Sequence, residues 1–239
     1  MPCPVSALSH DCMDHGFRLI VFDYDGTLVD SQHAILHAMT AGFAAAGLPA
    51  PEAAAVRGVV GLSLEIAVAR LCPDPQDGAT VNRVADAYRA AFLSLRSRPE
   101  YHEPLFPGVR ETLAALDRPE VCLGIATGKA RRGLLASLER HGFGHHFVTL
   151  QTADDGPGKP HPAMLRRAMA EAGAAPEETV LIGDTSFDME MAVNAGVPGL
   201  GVSWGYHAPE DLTASGAVGV IDSFAELPRR LEALWEART

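Results

Sequence analysis

The chain has 239 residues, of which 47% are hydrophobic and 21% are charged. This length and composition are typical of one large globular domain or two smaller ones, and they exclude a disordered or fibrous protein. The 19 basic and 30 acidic residues give a formal charge of −11. A field of that sign repels nucleic acid and anionic lipid, so we expect neither nucleic acid nor a membrane as a partner.

The start of the chain, residues 1–16, differs from the rest in having no hydrophobic periodicity, and we interpret it as a flexible extension. It lacks the cationic start and apolar centre of a signal peptide. No apolar run approaches the roughly 18 residues of a membrane span. The four cysteines have unrelated spacings, which favours free thiols in a reducing compartment. We therefore expect a cytoplasmic protein, either a monomer or a homodimer.

Short apolar runs alternate with helical patterns from Phe17 onward. The runs typical of buried strands lie at 17–22, 121–126, 148–150, 179–182, 199–202 and 217–221. The helical patterns between them lie at 109–116, 129–141, 162–172, 187–195 and 224–237. Strands that alternate with helices in this way form βα units on a parallel sheet. The sequence therefore predicts an α/β, Rossmann-like core formed by residues 17–30 and 104–239.

Residues 31–103 interrupt this alternation. They contain no convincing strand, and their helical patterns at 32–46, 53–60, 64–71 and 81–98 are separated by glycine and proline. The segment is too long for a crossover and too helical for a loop. We expect a small all-α cap domain inserted after the first strand.

Two aspartates, Asp23 and Asp25, come directly after the first predicted strand, and Gly26 permits a tight turn behind them. Ligands of open parallel sheets bind beyond the carboxyl ends of the strands. Two carboxylates at that place can divide the work, because one can attack or bind a metal while the other moves a proton. A solvated acidic turn would fit the same residues, so this cluster alone leaves both interpretations open.

Asp184 and Asp188 form a second acidic cluster, after the strand predicted at 179–182. An aspartate between a strand and a helix is often only an N-cap. If the carboxylates of both clusters face one crevice, their repulsion requires a cation, and oxygen ligands of this kind favour Mg²⁺. The sequence therefore predicts a magnesium site that involves Asp23, Asp25, Asp184 and Asp188.

The chain has 17 arginines but only two lysines, Lys129 and Lys159, and both follow predicted strands. A compact ammonium group fits where a planar guanidinium does not, and it would stabilise a phosphoryl oxygen. We therefore predict that Lys159 binds a phosphoryl group. The presence of Lys129 is also explained without a function, because lysine is common at the start of a helix. Thr127 and Gly128 offer a hydroxyl and backbone N–H groups that can bind a phosphate.

The order of these residues resembles the four sequence motifs of the haloacid dehalogenase superfamily. The resemblance is carried by 23–27, Thr127, Lys159 and 183–188, in that order. The helical insertion is similar to the type 1 cap of the branch that contains the phosphoglycolate phosphatases. The resemblance implies a Mg²⁺-dependent phosphatase that hydrolyses a small phosphorylated metabolite through an aspartyl phosphate.

The resemblance also implies a role for each matching residue. Asp23 would be the nucleophile, and Asp25 would protonate the leaving oxygen and later deprotonate the attacking water. Thr127 would hydrogen-bond the phosphoryl group, and Lys159 would hold that group next to Asp23.

The metal ligands implied by the same resemblance are the Asp23 side chain, the Asp25 backbone carbonyl and Asp184, while Asp188 would orient the water shell or the lysine. Dehalogenases of the superfamily lack the second aspartate of the first motif, so Asp25 favours phosphate chemistry. Members that cleave phosphonates use a lysine of the cap, and residues 31–103 contain none. This excludes the phosphonate-cleaving mechanism.

We expect the cap to determine the substrate. The segment 61–63 resembles a cap loop that faces the active site, and Arg57 or Arg70 could bind a substrate carboxylate or second phosphate, although both also fit a solvated helix surface. Gly128 stands where phosphoglycolate phosphatases usually have asparagine, so the sequence does not identify phosphoglycolate as the substrate. The alternative function is that of a phosphosugar mutase similar to β-phosphoglucomutase. The intact motifs disfavour an inactive binding scaffold.

Overall fold

The computed structural model describes residues 18–98 and 100–236. Its centre is a parallel sheet of six strands in the order β3-β2-β1-β4-β5-β6. The strands are β1 (Arg18–Phe22), β2 (Val121–Ala126), β3 (Phe147–Gln151), β4 (Thr179–Gly183), β5 (Gly199–Val202) and β6 (Ala217–Ile221). The predicted α/β class with a parallel sheet is confirmed. Because β1 lies between β2 and β4, the strand order reverses beside it, and ligands of such sheets bind at that point.

The helices lie in two groups along the chain. Between β1 and β2 are α1 (Gln32–Ala45), α2 (Ala53–Arg57), α3 (Leu64–Leu71), α4 (Gly78–Arg96) and α5 (Val109–Leu116). After β2 come α6 (Arg131–His141), α7 (Ala163–Ala172), α8 (Ser186–Ala195), α9 (Pro209–Ala214) and α10 (Leu227–Glu236). Most bounds agree with the sequence patterns to within two residues.

Both faces of the sheet are covered, which explains why β1 is apolar at consecutive positions. Ile20 and Phe22 belong to the cluster that includes residues of α5, α6 and α10. Leu19 and Val21 point the other way, into a cluster with residues of α7 and α8. A strand that is buried on both sides fixes the position of whatever follows it, and Asp23 follows β1 directly.

Four helices differ from the sequence patterns, and one of them, α10, begins three residues after its pattern because 224–226 form a 3₁₀ turn. The pattern at 53–60 gives a helix that ends at Arg57, and the residues after it form turns. The helix α4 begins three residues before its pattern, because the side chain of Asp77 accepts a hydrogen bond from Thr80 N and caps the first turn. The sequence reasoning missed α9, although Pro209 at its first position is a recognised start signal.

The helices α1 to α4 have an apolar cluster of their own, to which Ile35, Met39, Phe43, Val68 and Val84 contribute. They occupy the segment predicted as a cap, and the division at 31 and 103 stays a prediction. The chain enters and leaves this group of helices through neighbouring segments. Val29 forms a bridge with Leu105, and Asp30 N donates to the carbonyl oxygen of Pro104 at 2.8 Å.

The predicted extension 1–16 and Phe17 lie outside the described residues, as do Cys3 and Cys12. In the described part, Cys72 and Cys122 are free thiols. No described helix combines the length and the apolar character that a membrane crossing requires.

Candidate active site

Three buried polar residues directly follow three adjacent strands. Asp23 comes after β1, Thr127 after β2 and Asp184 after β4, and each is at most 1% exposed. Asp23 N donates to the carbonyl oxygen of Ile182 at 2.8 Å, and Thr127 N donates to that of Gln151 at 3.0 Å. The hydrogen bonds of the sheet thus extend one residue beyond β1 and β2. They place these side chains at the edge where the carboxyl ends of the strands lie.

Lys159 lies in the loop between β3 and α7, and its side chain is fully buried. Its Nζ atom is 2.7 Å from Asp23 Oδ1 and 2.6 Å from Asp188 Oδ1. Burial alone would lower the pKa of Lys159, but the charges of Asp188 and Asp23 raise it above its ordinary value. Lys159 is therefore a permanent cation between two carboxylates.

Asp184 is held by two donors from separate segments. Thr27 Oγ1 donates to its Oδ1 atom and Tyr206 N donates to its Oδ2 atom, both at 2.9 Å. Gly26 passes close to the same carboxylate with φ +91°, and a Cβ atom at this position would lie 2.3 Å from Asp184 Oδ2. Position 26 therefore requires glycine, because other residues rarely adopt this φ and because a side chain would collide with the Asp184 carboxylate. The first acidic motif therefore also positions the second.

Asp188 lies in the first turn of α8 and uses its two oxygens differently. Its Oδ2 atom accepts hydrogen bonds from Thr185 N at 3.1 Å and Thr185 Oγ1 at 2.6 Å, in a capping box. Its Oδ1 atom contacts Lys159. The residue is thus both a helix cap and a partner of the buried lysine.

Carboxylate oxygens of Asp23, Asp184 and Asp188 lie within 4.8 Å of one another, and this is the one such group of metal-ligating side chains in the described chain. Burial raises the pKa of Asp23 to about 7, helped by the charge of Asp188 and opposed by Lys159. Burial also raises the pKa of Asp184, and the charges of Asp23 and Asp188 add to the effect. When all three carboxylates are ionised, their charge exceeds that of the one lysine, and a divalent cation would neutralise the excess, so these oxygens fit Mg²⁺.

The side chain of Asp25 is not in that group. Its Oδ1 atom pairs with Lys129 Nζ at 2.7 Å, and Lys129 Nζ also lies 3.6 Å from Glu103 Oε1. Ser137 Oγ donates to Glu103 Oε2 and accepts from the Tyr24 hydroxyl. A buried polar network therefore holds Asp25 at the edge of the site. A metal contact through the Asp25 backbone carbonyl stays a prediction.

Sequence reasoning underrated Lys129 and missed Glu103. The scarcity of lysine in the chain was the signal for Lys129, but its place at the start of a helix offered an equally simple explanation. The side chain of Glu103 is fully buried, and the pKa of Glu103 is lowered although burial alone would raise it, because Lys129 lies nearby. No motif marks Glu103, since it acts through a partner 26 residues further along the chain.

Gly128 is where the loop between α2 and α3 touches the core. A Cβ atom at this position would lie 2.6 Å from the carbonyl oxygen of Leu62 and 2.7 Å from that of Gly61. Asparagine could not occupy this place unless the loop moved away. The predicted contact between the cap loop 61–63 and the active-site side of the core is therefore present in the structure.

The arginines predicted from the cap are not the ones that line the cavity between α1–α4 and the sheet. Arg57 ends α2 and is not among the lining residues, and Arg70 lies over the ring of Phe187 at 5.2 Å. Arg89 and Arg96 of α4 line it instead. Helical periodicity did not show this, because the orientation of α4 depends on its packing against α1. A substrate contact by Arg57 stays a prediction that this placement does not support.

The loop after β5 supplies supporting residues that sequence reasoning also missed. Trp204 Nε1 donates to the carbonyl oxygen of Thr27 at 3.1 Å, and Tyr206 N holds Asp184 as described. His207 Nδ1 accepts from Ser186 N at 3.1 Å. Tyr206 acts through a backbone N–H that any residue but proline supplies, so the side chain gave no signal.

A family model described as haloacid dehalogenase-like hydrolase matches residues 20–202. The chain is 34% identical over 217 residues to "Probable phosphatase IndB" of Dickeya dadantii, with 90% of this chain and 94% of that protein covered. It is 32% identical to a phosphoglycolate phosphatase of Vibrio vulnificus, with 88% and 94% covered.

A haloacid dehalogenase-like family hydrolase of Streptococcus pneumoniae has a solved structure that superposes with a TM-score of 0.76 at 28% identity, with 90% of this chain and 98% of that chain covered. Its similarity extends over the strands and the helical insertion alike. The family model matches most of the chain, which agrees with the presence of the four motifs. It also agrees with the structure, in which residues of these motifs lie together at one edge of the sheet. The chain belongs to the haloacid dehalogenase-like hydrolase family.

Proposed function

We propose that this hydrolase is a Mg²⁺-dependent phosphatase that transfers the phosphoryl group of a small phosphorylated metabolite to water. The overall reaction converts a phosphomonoester and water into an alcohol and inorganic phosphate. Asp23 is the nucleophile and Asp25 the general acid and base. Both curated relatives reported above carry the name of a phosphatase.

In the first step an Asp23 oxygen attacks phosphorus, and the bond between phosphorus and the ester oxygen breaks. The leaving oxygen takes a proton from Asp25, which gives the alcohol and an aspartyl phosphate. Lys159, fixed by Asp188, keeps Asp23 in place and offers a positive charge to the phosphoryl oxygens. Thr127 donates its hydroxyl to the phosphoryl group.

In the second step water attacks the phosphorus of the aspartyl phosphate and gives up a proton to Asp25. The bond between phosphorus and the Asp23 oxygen breaks, which releases phosphate and restores both carboxyl groups. Lys129 is a positioning residue in both steps, because its contact at 2.7 Å holds the Asp25 carboxylate next to the crevice.

Asp23 and Asp184 would hold the magnesium ion through their side chains, with Asp188 adjacent. When bound, Mg²⁺ supplies a positive charge that neutralises these carboxylates and the charge of the phosphoryl group. The observation that carries the proposal is this buried cluster of three carboxylates with one lysine, beside a second aspartate two residues from the nucleophile.

The test is phosphate release from a panel of phosphorylated metabolites, in Mg²⁺ and in EDTA, by the wild type and by Asp23→Asn. We expect release only in Mg²⁺, and a loss of at least about 10⁴-fold in the variant. Asp117→Asn is the matched control, since Asp117 is an exposed aspartate that pairs with His146 away from the site. Full activity of Asp23→Asn would refute the assignment of Asp23 as the nucleophile. Isomerisation of a sugar phosphate without phosphate release would favour the mutase.

A further inference from the structure

The catalytic residues open into a cavity of about 590 Å³ under the helices α1 to α4. Asp23, Asp25, Thr127 and Lys129 line its core side, so the alcohol part of a substrate bound at Asp23 would project into this space. The volume lies within the usual range of about 300–1,000 Å³ for small-molecule sites. A two-carbon acid such as phosphoglycolate would leave most of it to water. The inference that follows rests on the proposed phosphatase function.

The cap side of the cavity is mainly apolar. Its lining includes the side chains of Ile35, Met39, Val60, Leu62, Leu64 and Phe92. Tyr88 lies one helical turn from Phe92, with their rings 5.7 Å apart, so two aromatic rings of α4 border the same space. Apolar walls stabilise a ligand by removing its apolar surface from water, and they disfavour a charge that has no partner.

Most cations of the lining are already engaged. Arg89 pairs with Glu65 and Asp86, which leaves it no excess charge for a ligand. Arg96 Nη2 donates to the carbonyl oxygen of Gly133 at 2.8 Å, and the charge of Arg96 helps to lower the pKa of the buried Glu103. Lys129 is the partner of Asp25, as described above. A substrate carboxylate would have to compete with the acidic partners of Arg89 and Lys129.

Two polar groups of the lining remain without a hydrogen bond or ion pair to any described residue. One is the hydroxyl of Tyr88; burial raises the pKa of this group, so it stays a neutral donor and acceptor. The other is Arg132, whose side chain is exposed at the rim. The carboxylates of Glu65 and Asp154 also line the cavity and repel a second anion. The chemistry of the inner wall therefore suits a neutral group.

We propose that this phosphatase acts on phosphomonoesters of neutral, largely apolar alcohols that bear an aromatic or similarly bulky group, and that it discriminates against phosphorylated acids. The alcohol part lies between the apolar side chains of the cap and the rings of Tyr88 and Phe92. The phosphoryl group lies at Asp23. The specificity thus arises from the cap wall and not from the phosphate site.

The direct test compares benzyl phosphate with 4-carboxybenzyl phosphate, which differ by one carboxylate, and with phosphoglycolate. In Mg²⁺ we expect kcat/KM for benzyl phosphate to exceed that of either acid by at least about tenfold, the size of a typical pocket preference. Acetyl phosphate reports on phosphoryl transfer alone, because its leaving group is small and activated. Equal or higher kcat/KM for either acid would overturn the inference.

The two proposals fail in different ways. If acetyl phosphate is hydrolysed but benzyl phosphate is not preferred over its carboxylated analogue, the substrate inference is wrong and the phosphatase stands. If none of the compounds releases phosphate, the proposed function is wrong and the inference falls with it.

A variant of the wall sharpens the test. Leu93 lines the cavity and is 53% exposed, so Leu93→Arg adds a cation at the wall without burying it. We expect the ratio of kcat/KM for the two benzyl esters to shift about tenfold towards the carboxylated one. Leu135→Arg is the matched control, since Leu135 is a similarly exposed leucine of α6 outside the lining. An equal shift in both variants would point to the general charge of the protein and would contradict the inference.

Discussion

The two sides of the cavity differ in how their charges are held. On the core side, the Lys159 side chain is fully buried and bridges two buried carboxylates. On the cap side, Arg89 also bridges two carboxylates, but its side chain is 50% exposed, and those of Glu65 and Asp86 are 49% and 78% exposed. In our proposals the core side holds the reacting groups, whereas the cap side sets the shape and polarity of the substrate pocket. The proposals thus place chemistry and specificity in different parts of the fold.

The largest expected effect comes from breaking each bridge in turn. Lys159→Met leaves two buried carboxylates without their partner, and we expect a loss of about 3–5 kcal/mol in the free energy of unfolding together with loss of activity. Arg89→Met breaks an exposed bridge, and we expect a change of about 1 kcal/mol or less. Urea denaturation of both variants in EDTA measures the difference, and equal losses would remove the contrast between the two sides.

The second prediction concerns the pH dependence of the metal-free core side. The pKa of Asp23 is raised to about 7 in the folded protein, against 3.8 as its ordinary value. Between these values the folded state binds a proton that the unfolded state has lost, so the stability from this group is present at low pH and is lost as pH rises towards 7.

Comparison with Asp23→Asn isolates this contribution. In EDTA, from pH 5 to 8, the free energy of unfolding of the wild type should fall by on the order of 2 kcal/mol more than that of the variant. Added Mg²⁺ should reduce the fall, because it binds the ionised carboxylate. Parallel pH profiles of the two proteins would show that Asp23 has an ordinary pKa.

The third prediction tests the contact between the core side and the cap side of the cavity. Gly128→Ala would place a Cβ atom 2.6 Å from a backbone oxygen of the cap loop, so that loop must shift. We expect a cost of about 1–3 kcal/mol and a fall of about tenfold in kcat/KM for benzyl phosphate. Gly78→Ala is the control, since nothing lies within 4 Å of a Cβ atom there. Unchanged kinetics in Gly128→Ala would mean that the contact does not position the loop.

The core side of the cavity was more predictable from the sequence than the cap side. The strands were predictable because burial on both faces makes them continuously apolar, and Asp23, Asp184 and Lys159 were predictable because a strand or a loop after a strand places them. Asp188 fits both a cap and a catalytic role, and the structure gives it both contacts.

The residues that escaped prediction depend on partners far along the chain. Glu103 gains its role from Lys129, and Tyr206 acts through its backbone. The cap wall was the least predictable part, since which side chains of α4 reach the cavity depends on how that helix packs on α1. Periodicity shows that a helix has an apolar face, but it does not show what that face meets.

The bridge between Val29 and Leu105 has a practical consequence for engineering. Because the chain crosses to the helical group and returns at adjacent points, a foreign insert whose ends lie close together could replace that group without cutting the sheet. A graft that spans only 32–102 would leave Ser31 and Glu103 in their native places. Hence the transplantable unit stops short of Glu103, which contacts the lysine that holds the proposed acid–base residue Asp25, and chimeras made with a later junction should lose turnover while keeping their fold.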